Sequence, residues 1–329
     1  MTLSWLDADA VAAADYKIII DCWPSGRLTL SQLGRRFGTF AQELARARDQ
    51  ARMAGMLAHG TAMPETFQGA LVDGSTSRPA RLMVFETHVT IVPENDDPIQ
   101  VPLGAIAGVT TTNDPPSVTI AGASSSVVLG LLARQRDAFV LAVINVGEAQ
   151  GLLLANLAGQ LGFSDGAGVS RDKLNGFDDL LARFSAPDRL GGAREMIGRA
   201  RGGEPRLGFV KLLDPDGEVS AAAVPLPEHW ASFLLVPVGP LVAMEILAGP
   251  SAATYVFEGD IGEVNRDLQL LHFRRGPLAL TAEQATITPD NPHRLALRRL
   301  EPLKRLRART RARIVHNEGW SAALAAAIA

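Results

Sequence analysis

The sequence predicts an α+β fold of two domains, each an antiparallel sheet with helices. Between residues 66 and 163, seven short strand-like segments follow one another with no helix between them, and a long apolar helix ends the series. Strands spaced so closely pair antiparallel and curl on themselves to hide their edges. A second, smaller series of apolar strands begins after residue 205, and a chain of 329 residues is long enough to bury two cores.

The first predicted domain, residues 66–163, is a β-sandwich or barrel capped by its C-terminal helix. Turn signals such as Asp73–Ser75 and Asn113–Pro116 separate its strands, and the helix opens near Arg134. The predicted strands are Phe67–Val72, Ala80–Glu86, Val89–Pro93, Ile99–Leu103, Ile106–Thr112, Ser117–Ala121 and Ser126–Leu131.

Residues 1–65 are predicted to form a strand–helix element that packs on this domain. The β-branched and aromatic segment Tyr16–Trp23 indicates a strand, and Arg27–Leu30 is a candidate return strand. A helix is predicted over Ser31–Ala58, with apolar residues at alternating spacings of four and three. This apolar stripe packs on its own domain or, alternatively, pairs with a helix of another chain.

Residues 164–205 are predicted to be a glycine-rich connector with a short helix near residues 177–184. The second domain then spans residues 206–329, with a hairpin turn at Asp214–Gly217 and a helix over Ile261–Arg275. Its C-terminal part is predicted to be a basic helix.

Composition excludes several classes of protein and site. Cys22 is the only cysteine, so the chain can form no internal disulfide and no thiolate zinc site. The longest nearly uncharged run, Ala231–Met244, is shorter than the roughly 20 residues that a membrane-spanning helix needs. The first residues lack the basic stretch of a signal peptide. Arginine far outnumbers lysine, as in proteins from GC-rich bacteria, and we expect a bacterial cytoplasmic protein.

No catalytic, metal-binding or cofactor-binding motif is apparent in the sequence. The six histidines are scattered, and Asp214 and Asp216 lack the further oxygen ligands of a calcium loop. Neither glycine motif for phosphate binding occurs, and Ser124–Ser126 lacks the flanking glycines of a nucleophile elbow. The acidic residues Glu94, Asp96 and Asp97 are predicted to form a solvated loop. We therefore expect no catalytic residue, metal or cofactor.

Seven strands followed by one helix is similar to the pleckstrin-homology-like superfold, including its GRAM-type members. The likeness depends on the phrases Ile99–Val109 and Val127–Phe139, the second of which runs from the last strand into the helix. The resemblance implies that Phe139 plugs a barrel. It also implies a candidate anion-binding loop over Asp73–Arg81, where Arg78 and Arg81 are the basic residues.

The C-terminal part carries the most concentrated charge in the chain. Residues 294–313 contain eight arginines and Lys304 against Glu301, so the segment is +8 and the rest of the chain −11. As a helix from Pro302, the segment would turn several cations outward; as a strand, it would place alternate arginines on one face. The predicted basic surface comprises Arg298, Arg299, Lys304, Arg305, Arg307, Arg309, Arg311 and Arg313.

The sequence thus predicts a non-catalytic adaptor or assembly subunit that binds a protein or peptide through the first domain, with the basic segment as a second contact. One alternative is a peripheral binder of anionic membrane or nucleic acid through the arginines. A simple solvated basic face and an enzyme with an unrecognised site are the others.

Overall fold

The computed structural model shows mixed helices and strands with antiparallel sheets. It divides into two compact units, residues 1–150 with 281–300 and residues 151–280 with 301–329. None of the helices that it describes is long and apolar enough to cross a bilayer. The described residues are 4–24, 26–58, 62–103, 106–122, 126–160, 185, 189–211, 230–247, 253–271, 274–288 and 290–329.

The first unit begins with a small three-stranded sheet. The strands β1 (Ala8–Ala14), β2 (Lys17–Cys22) and β3 (Gly26–Leu30) pair antiparallel in that order. The sequence predicted β2 and β3 but not β1, because its alanine-rich segment has low β-propensity. Cys22 is buried in the core of this sheet.

The helix α1 (Phe37–Gly55) packs its apolar stripe against this sheet. It starts later than predicted because Gln32 and Gly34 have φ angles of +64° and +53°, which a right-handed helix excludes. At its end, Gly55 permits a close approach: a Cβ there would lie 2.5 Å from Leu6 Cδ2 and 3.0 Å from Leu295 Cδ2.

A seven-stranded antiparallel sheet follows, and its order along the sheet is β7-β6-β5-β4-β10-β9-β8. The first and last of these strands, β4 and β10, pair with each other, so two meanders are joined at the middle of the sheet. This arrangement leaves β7 and β8 at the two edges. The strands are β4 (Ala62–Asp73), β5 (Thr76–Phe85), β6 (His88–Pro93), β7 (Ile99–Pro102), β8 (Ile106–Asn113), β9 (Pro116–Gly122) and β10 (Ser126–Gly130).

One core lies under this sheet and is closed by the helix α2 (Arg136–Gln160). Phe139 in α2 is fully buried, and its ring meets the ring of Phe67 edge-on at 5.3 Å between centroids. Ala142 and Val143 complete the inward face of the helix. The predicted run from the last strand into an apolar helix is confirmed.

The second unit contains a five-stranded antiparallel sheet in the order β11-β12-β13-β14-β15. Its central strands are buried on both faces; every residue of β13, for example, is buried. The strands are β11 (Arg206–Lys211), β12 (Trp230–Val238), β13 (Leu241–Ile246), β14 (Ala253–Glu258) and β15 (Thr310–Val315).

Helices cover both faces of this sheet. On one face α3 (Leu190–Gly198) and α8 (Trp320–Ile328) pack against Leu234, Val236 and other core residues. The alternate residues of the strands point to the other face. There the helices α4 (Ile261–Leu270) and α7 (Glu301–Arg309) contact β12 and β14. The other described α-helices are α5 (Gly276–Ala279) and α6 (Arg294–Arg299), and α6 belongs to the first unit.

The basic segment adopts both of the conformations that the sequence left open. It is helical in α6 and α7 and then becomes the strand β15, so the second unit does not end in a basic helix. Ile314 explains the change, because in a strand it joins the apolar core under α8 while its neighbours stay outside.

The unit boundaries differ from the predicted ones. Residues 281–300, assigned by sequence to the second domain, lie in the first unit. The predicted short helix near 177–184 and the hairpin turn Asp214–Gly217 lie outside the described residues.

The burial of Phe139 predicts a large cost for its truncation. Phe139→Ala should lower the free energy of unfolding by about 3–5 kcal/mol, because it removes a large core side chain and leaves a cavity. Leu141→Ala, two residues later on the outer side of the helix, is the matched control, since 58% of Leu141 is exposed. Urea unfolding followed by circular dichroism measures both, and equal effects would contradict the assignment of Phe139 to the core.

Candidate protein-binding site

The edge strand β8 is a row of small uncharged residues. Among the described residues it pairs only with β9, and no charged side chain lies within it. Thr110, Thr111 and Thr112 are all exposed. Natural proteins usually protect an exposed edge with charge, proline or a bulge, because unpaired backbone groups attract another strand. Here the bulge lies at the start, between Ile106 and Gly108, and leaves the rest of β8 regular.

Two contacts show which backbone groups of β8 point away from β9. The carbonyl of Thr112 accepts a hydrogen bond from Arg136 Nη1 at 3.4 Å, so it faces outward. The hydroxyls of Thr112 and Ser117 lie 2.7 Å apart across the pair, as expected for a position that shares no ladder bonds. Because outward positions alternate along an antiparallel strand, the N–H and C=O of Thr110 face outward as well.

The helix next to this edge has an apolar outer surface. Arg136, in the first turn of α2, also donates to Asn113 Oδ1 at 2.9 Å and so ties the helix to the end of β8. Further along α2, Leu141 is 58% exposed and Ile144 38% exposed. Residues three apart lie on one helix face, so these two side chains form one apolar patch. The patch thus lies on the outer side of the helix that Arg136 ties to the end of β8.

A buried ion-pair network anchors the N-terminal elements of the first unit. Arg52 is 1% exposed; it donates to the carbonyl of Ala8 at 2.7 Å and forms an ion pair with Asp97. Arg48, 2% exposed, donates to the carbonyl of Asp9 at 2.8 Å. The prediction of a solvated loop at Asp97 is therefore wrong, because two arginines draw this carboxylate into the network.

Burial shifts the pKa values of several charged groups in this network. The pKa of Arg48 is lowered by burial and by the neighbouring positive charge of Arg52. The pKa of Asp49 is raised by burial, although Arg81 and Arg48 oppose this. The pKa of Arg298 is lowered by burial and by Arg299. These charged groups contact one another inside the protein, and their role is structural.

The predicted basic residues fall into three groups. The first comprises Arg298 and Arg299 in α6, which bind the N-terminal elements. Arg299 bridges Asp9 at 2.6 Å and Asp97 at 3.1 Å. Arg298 lies 3.6 Å from Asp9, and its guanidinium stacks 4.6 Å from the centre of the Trp23 ring. Both cations are therefore engaged within the first unit.

The second group lies on α7 and is also engaged, within the second unit. Arg305 donates two hydrogen bonds to the buried carboxylate of Asp267, at 2.6 and 3.0 Å, and this contact raises the pKa of Arg305. Arg307 donates to two backbone carbonyls, those of Pro277 and Leu280. The ion pairs of Lys304 with Glu301, at 2.7 Å, and of Arg309 with Glu263, at 2.9 Å, complete the set.

The third group, Arg311 and Arg313, lies exposed on β15. Within the described residues neither guanidinium forms an ion pair. Six of the eight predicted residues thus contact groups of their own unit, and Arg311 and Arg313 are exposed without an ion pair within the described residues.

The predicted anion-binding loop does not bring its two arginines together. Arg78 and Arg81 both lie on β5, opposite Leu71 and Gln68, and not in the turn between β4 and β5. An odd spacing along a strand places them on opposite faces. Arg78 forms an ion pair with Asp96, and Arg81 lies 3.3 Å from Asp49.

Sequence reasoning missed a buried polar cluster in the second unit, between the sheet, α3 and α8. Glu245 is fully buried, with its Oε1 atom 2.9 Å from His316 Nε2 and 3.5 Å from Arg189 Nη1. Thr254 Oγ1 accepts from Trp320 Nε1 at 2.9 Å and lies 3.2 Å from His316 Nε2. The only sequence signal for this cluster was Glu245, a charged residue inside an apolar strand.

This cluster holds the helices in place and is not arranged as a proton relay. In a relay the carboxylate and the hydroxyl contact opposite ring nitrogens of the histidine. Here both meet the same nitrogen of His316, and Thr254 is fully buried. His316 also stacks on Trp320 at 4.8 Å. In the described part of the chain, this cluster included, no group of three acidic, histidine or cysteine side chains is placed to hold a metal.

Comparison with known proteins identifies no family. No family model matches the chain, and no curated protein matches it. Among solved structures, the chain is similar to the C-terminal domain of an unknown protein from Leishmania infantum, with 12% identity and a TM-score of 0.27. The match covers 31% of this chain and 96% of that one. So low a score supports no inference about fold or function.

The ion-pair network around Arg52 predicts that substitutions of two adjacent aspartates have unequal effects on the free energy of unfolding. Asp97→Ala should lower the free energy of unfolding by about 3 kcal/mol, because it removes the carboxylate hydrogen-bonded to the buried Arg52 and leaves only the more distant one of Asp9, at 3.8 Å. Asp96→Ala is the control and should cost at most about 1 kcal/mol, since both members of its pair with Arg78 are more than 40% exposed. Chemical unfolding of both variants checks this, and a harmless Asp97→Ala would refute the role of the network.

A contact between α3 and α8 predicts that the stability of the folded protein depends on pH. Glu195 accepts hydrogen bonds from Ser321 and Arg199, which lower its pKa in the folded protein. A lowered carboxyl pKa stabilises the folded state above the unfolded pKa, and this stability is lost as pH falls. Glu195→Gln should therefore cost up to about 1 kcal/mol near neutral pH and nothing in strong acid. Thermal unfolding across this range measures it; a difference that grows in acid would contradict it.

Proposed function

We propose that this protein is a non-catalytic cytoplasmic adaptor or assembly subunit of a bacterium. It binds a segment of a protein partner along the outer edge of β8, beside the apolar surface of α2. The single observation that carries this proposal is an exposed edge strand without charge whose backbone groups point outward at Thr110.

We further propose that residues 62–160 are a pleckstrin-homology-like domain. Three features support this: seven antiparallel strands precede one apolar helix, the first and last strands pair, and Phe139 lies at the centre of the core under the sheet. Under this proposal the smaller sheet and α1 are an N-terminal addition to the domain, and residues 206–329 contribute most of a second domain.

Strand addition suits the chemistry of β8. A partner strand gains backbone hydrogen bonds from an edge, and pockets or patches nearby select its side chains. The threonines offer hydroxyls and methyl groups on both faces of the strand, while Leu141 and Ile144 offer apolar contact. The site therefore favours an uncharged or apolar extended segment over a phosphate-bearing ligand.

The alternative function, binding of anionic membrane or nucleic acid through the basic segment, receives less support. Six of its eight cations contact carboxylates or carbonyls of the protein itself. Binding to phosphates gains from each cation that is available to release counterions. Among these eight, only Arg311 and Arg313 are exposed without an ion pair within the described residues, whereas the exposed Lys304 and Arg305 are paired with Glu301 and Asp267.

A proline on β8 tests the proposal. Thr110→Pro removes an outward N–H without removing a bond to β9, and edge strands tolerate proline. Thr110→Ala removes the same side chain but keeps the N–H. Both tagged variants and the parent chain are used to capture partners from the native host after nuclease treatment, at moderate salt.

We expect one protein to be captured in stoichiometric amount by the parent chain and by Thr110→Ala, and to be lost with Thr110→Pro. Equal capture by both variants would rule out the edge of β8 as the site. Unfolding curves of the two variants verify that proline has not simply unfolded the domain.

A further inference from the structure

We infer that the edge of β8 also pairs with β8 of a second copy of this chain, so that two chains form a closed dimer in which each masks the docking edge of the other. The inference rests on the edge described for the proposed function and adds a regulation of that site. A second copy and a partner protein occupy the same backbone groups, so self-pairing and partner binding exclude each other.

The three threonines in the middle of β8 are self-complementary in an antiparallel pair. The backbone groups of Thr110 and Thr112 face away from β9, and those of Thr111 between them face β9. Two copies centred on Thr111 place Thr110 of each chain opposite Thr112 of the other. Each such pair of outward positions exchanges two backbone hydrogen bonds, so the dimer gains about four. The carbonyl of Thr112 keeps a second lone pair beside its bond to Arg136.

The side chains of the edge suit this pairing. In the register centred on Thr111, every one of the three threonines meets a threonine of the second copy, and threonine pairs stabilise neighbouring strands. Thr110, Thr111 and Thr112 are all exposed although they alternate between the two faces, so both faces have room for a further strand. Because β8 contains no charged residue, a second copy meets no like charge there.

The irregular ends of β8 lie outside the paired part. The bulge falls on Ala107, which is skipped between the pairs made by Ile106 and Gly108. The register centred on Thr111 pairs only Val109–Asn113 with the same residues of the second copy. The two-fold pair therefore uses the regular part of the strand and ends where the turn to β9 begins.

The edges of the other described strands are less suited to pairing with themselves. The edge strand β15 carries Arg311 and Arg313, and its bulge falls on Arg311. The opposite edge strand, β11, carries Arg206 and Lys211. Charge and bulges are the ordinary protection of an edge, and arginine facing arginine destabilises a strand pair.

The remaining edges, in the first unit, are also protected. The short strand β7 ends at Pro102, and β3 carries Arg27. The edge strand β1 is covered, since carbonyls of Ala8 and Asp9 accept hydrogen bonds from Arg52 and Arg48. A pair that uses the same edge of both chains closes around a two-fold axis. Self-pairing at β8 therefore stops at a dimer and does not continue into a filament.

The small size of the contact makes it reversible. Five paired residues extend over about 17 Å, which is a small contact compared with stable dimer interfaces. We therefore expect a dimer in concentrated solution and a monomer after dilution. The docking edge is open in the dilute chain, and in concentrated solution a partner protein has to displace the second copy.

The test measures self-association of the purified full chain by sedimentation over a range of concentrations. In T110E/T112E, and in T110K/T112K, like charges face each other across the two-fold axis. Each variant alone should self-associate at least about tenfold more weakly than the parent chain. An equimolar mixture of the two places glutamate opposite lysine and should form a mixed dimer. Recovery by mixing distinguishes strand pairing from a loss of folding.

A matched control carries the same charges away from β8. Gln42 and Gln50 lie exposed on α1, so Q42E/Q50E and Q42K/Q50K make the same changes in net charge. Each of these variants alone should dimerise within about twofold of the parent chain. Circular dichroism verifies the folding of all the variants.

A cysteine at the centre of the pair tests the register. In an antiparallel pair, Thr111 and its copy have Cα atoms about 4.5 Å apart, within the range of a disulfide. Thr111→Cys should therefore form a disulfide-linked dimer on mild oxidation. Ser77→Cys, exposed on β5, is the control and should not, and the native Cys22 is buried.

Three results would overturn the inference: a parent chain that stays monomeric in concentrated solution, a dimer that T110E/T112E leaves intact, or a mixture of the two charged variants that stays monomeric. The proposed function is tested separately, by capture from the native host. A monomeric chain that captures a protein through β8 overturns the self-pairing alone. A chain that dimerises through β8 but captures no protein supports the self-pairing and contradicts only the proposed function.

Discussion

The guanidinium of Arg52 is the group on which the first unit most depends. It is 1% exposed, and burying such a cation costs several kcal/mol unless the protein supplies compensating partners. Those partners come from segments far apart in the sequence: Ala8 in β1, Asp97 in the loop after β6, and, through Asp97, Arg299 in α6. Removing the Asp97 carboxylate takes from the buried Arg52 its hydrogen-bonded counter-charge, so this contact links the N-terminal sheet, α1, the loop after β6 and α6.

This use of charge separates structural cations from available ones. Most arginines of the basic segment meet carboxylates or carbonyls of their own unit, and the remaining two stand on an edge strand. The edges of the two sheets differ accordingly: β8 carries threonines and no charge, whereas β15 carries Arg311 and Arg313.

Local patterns in the sequence were sufficient for most of the elements but not for their pairing. Short β-branched runs predicted the seven strands of the large sheet, and apolar periodicity predicted α1 and α2. That β8 is an edge follows from the pairing of β4 with β10, a contact between distant segments that no local pattern encodes. Likewise, Asp97 looked like a loop residue because its arginine partners lie 45 and 202 residues away. The cluster at Glu245 is built from five segments, and for the same reason only its charged member stood out.

The most direct test of the account is amide hydrogen exchange of the full chain, alone and together with a protein captured from the native host as proposed above. Residues 106–112 at the edge of β8 should exchange markedly more slowly in the complex, because a partner strand satisfies their outward backbone groups. Protection confined to other elements, with β8 exchanging as in the free chain, would contradict the claim that this edge is the docking site.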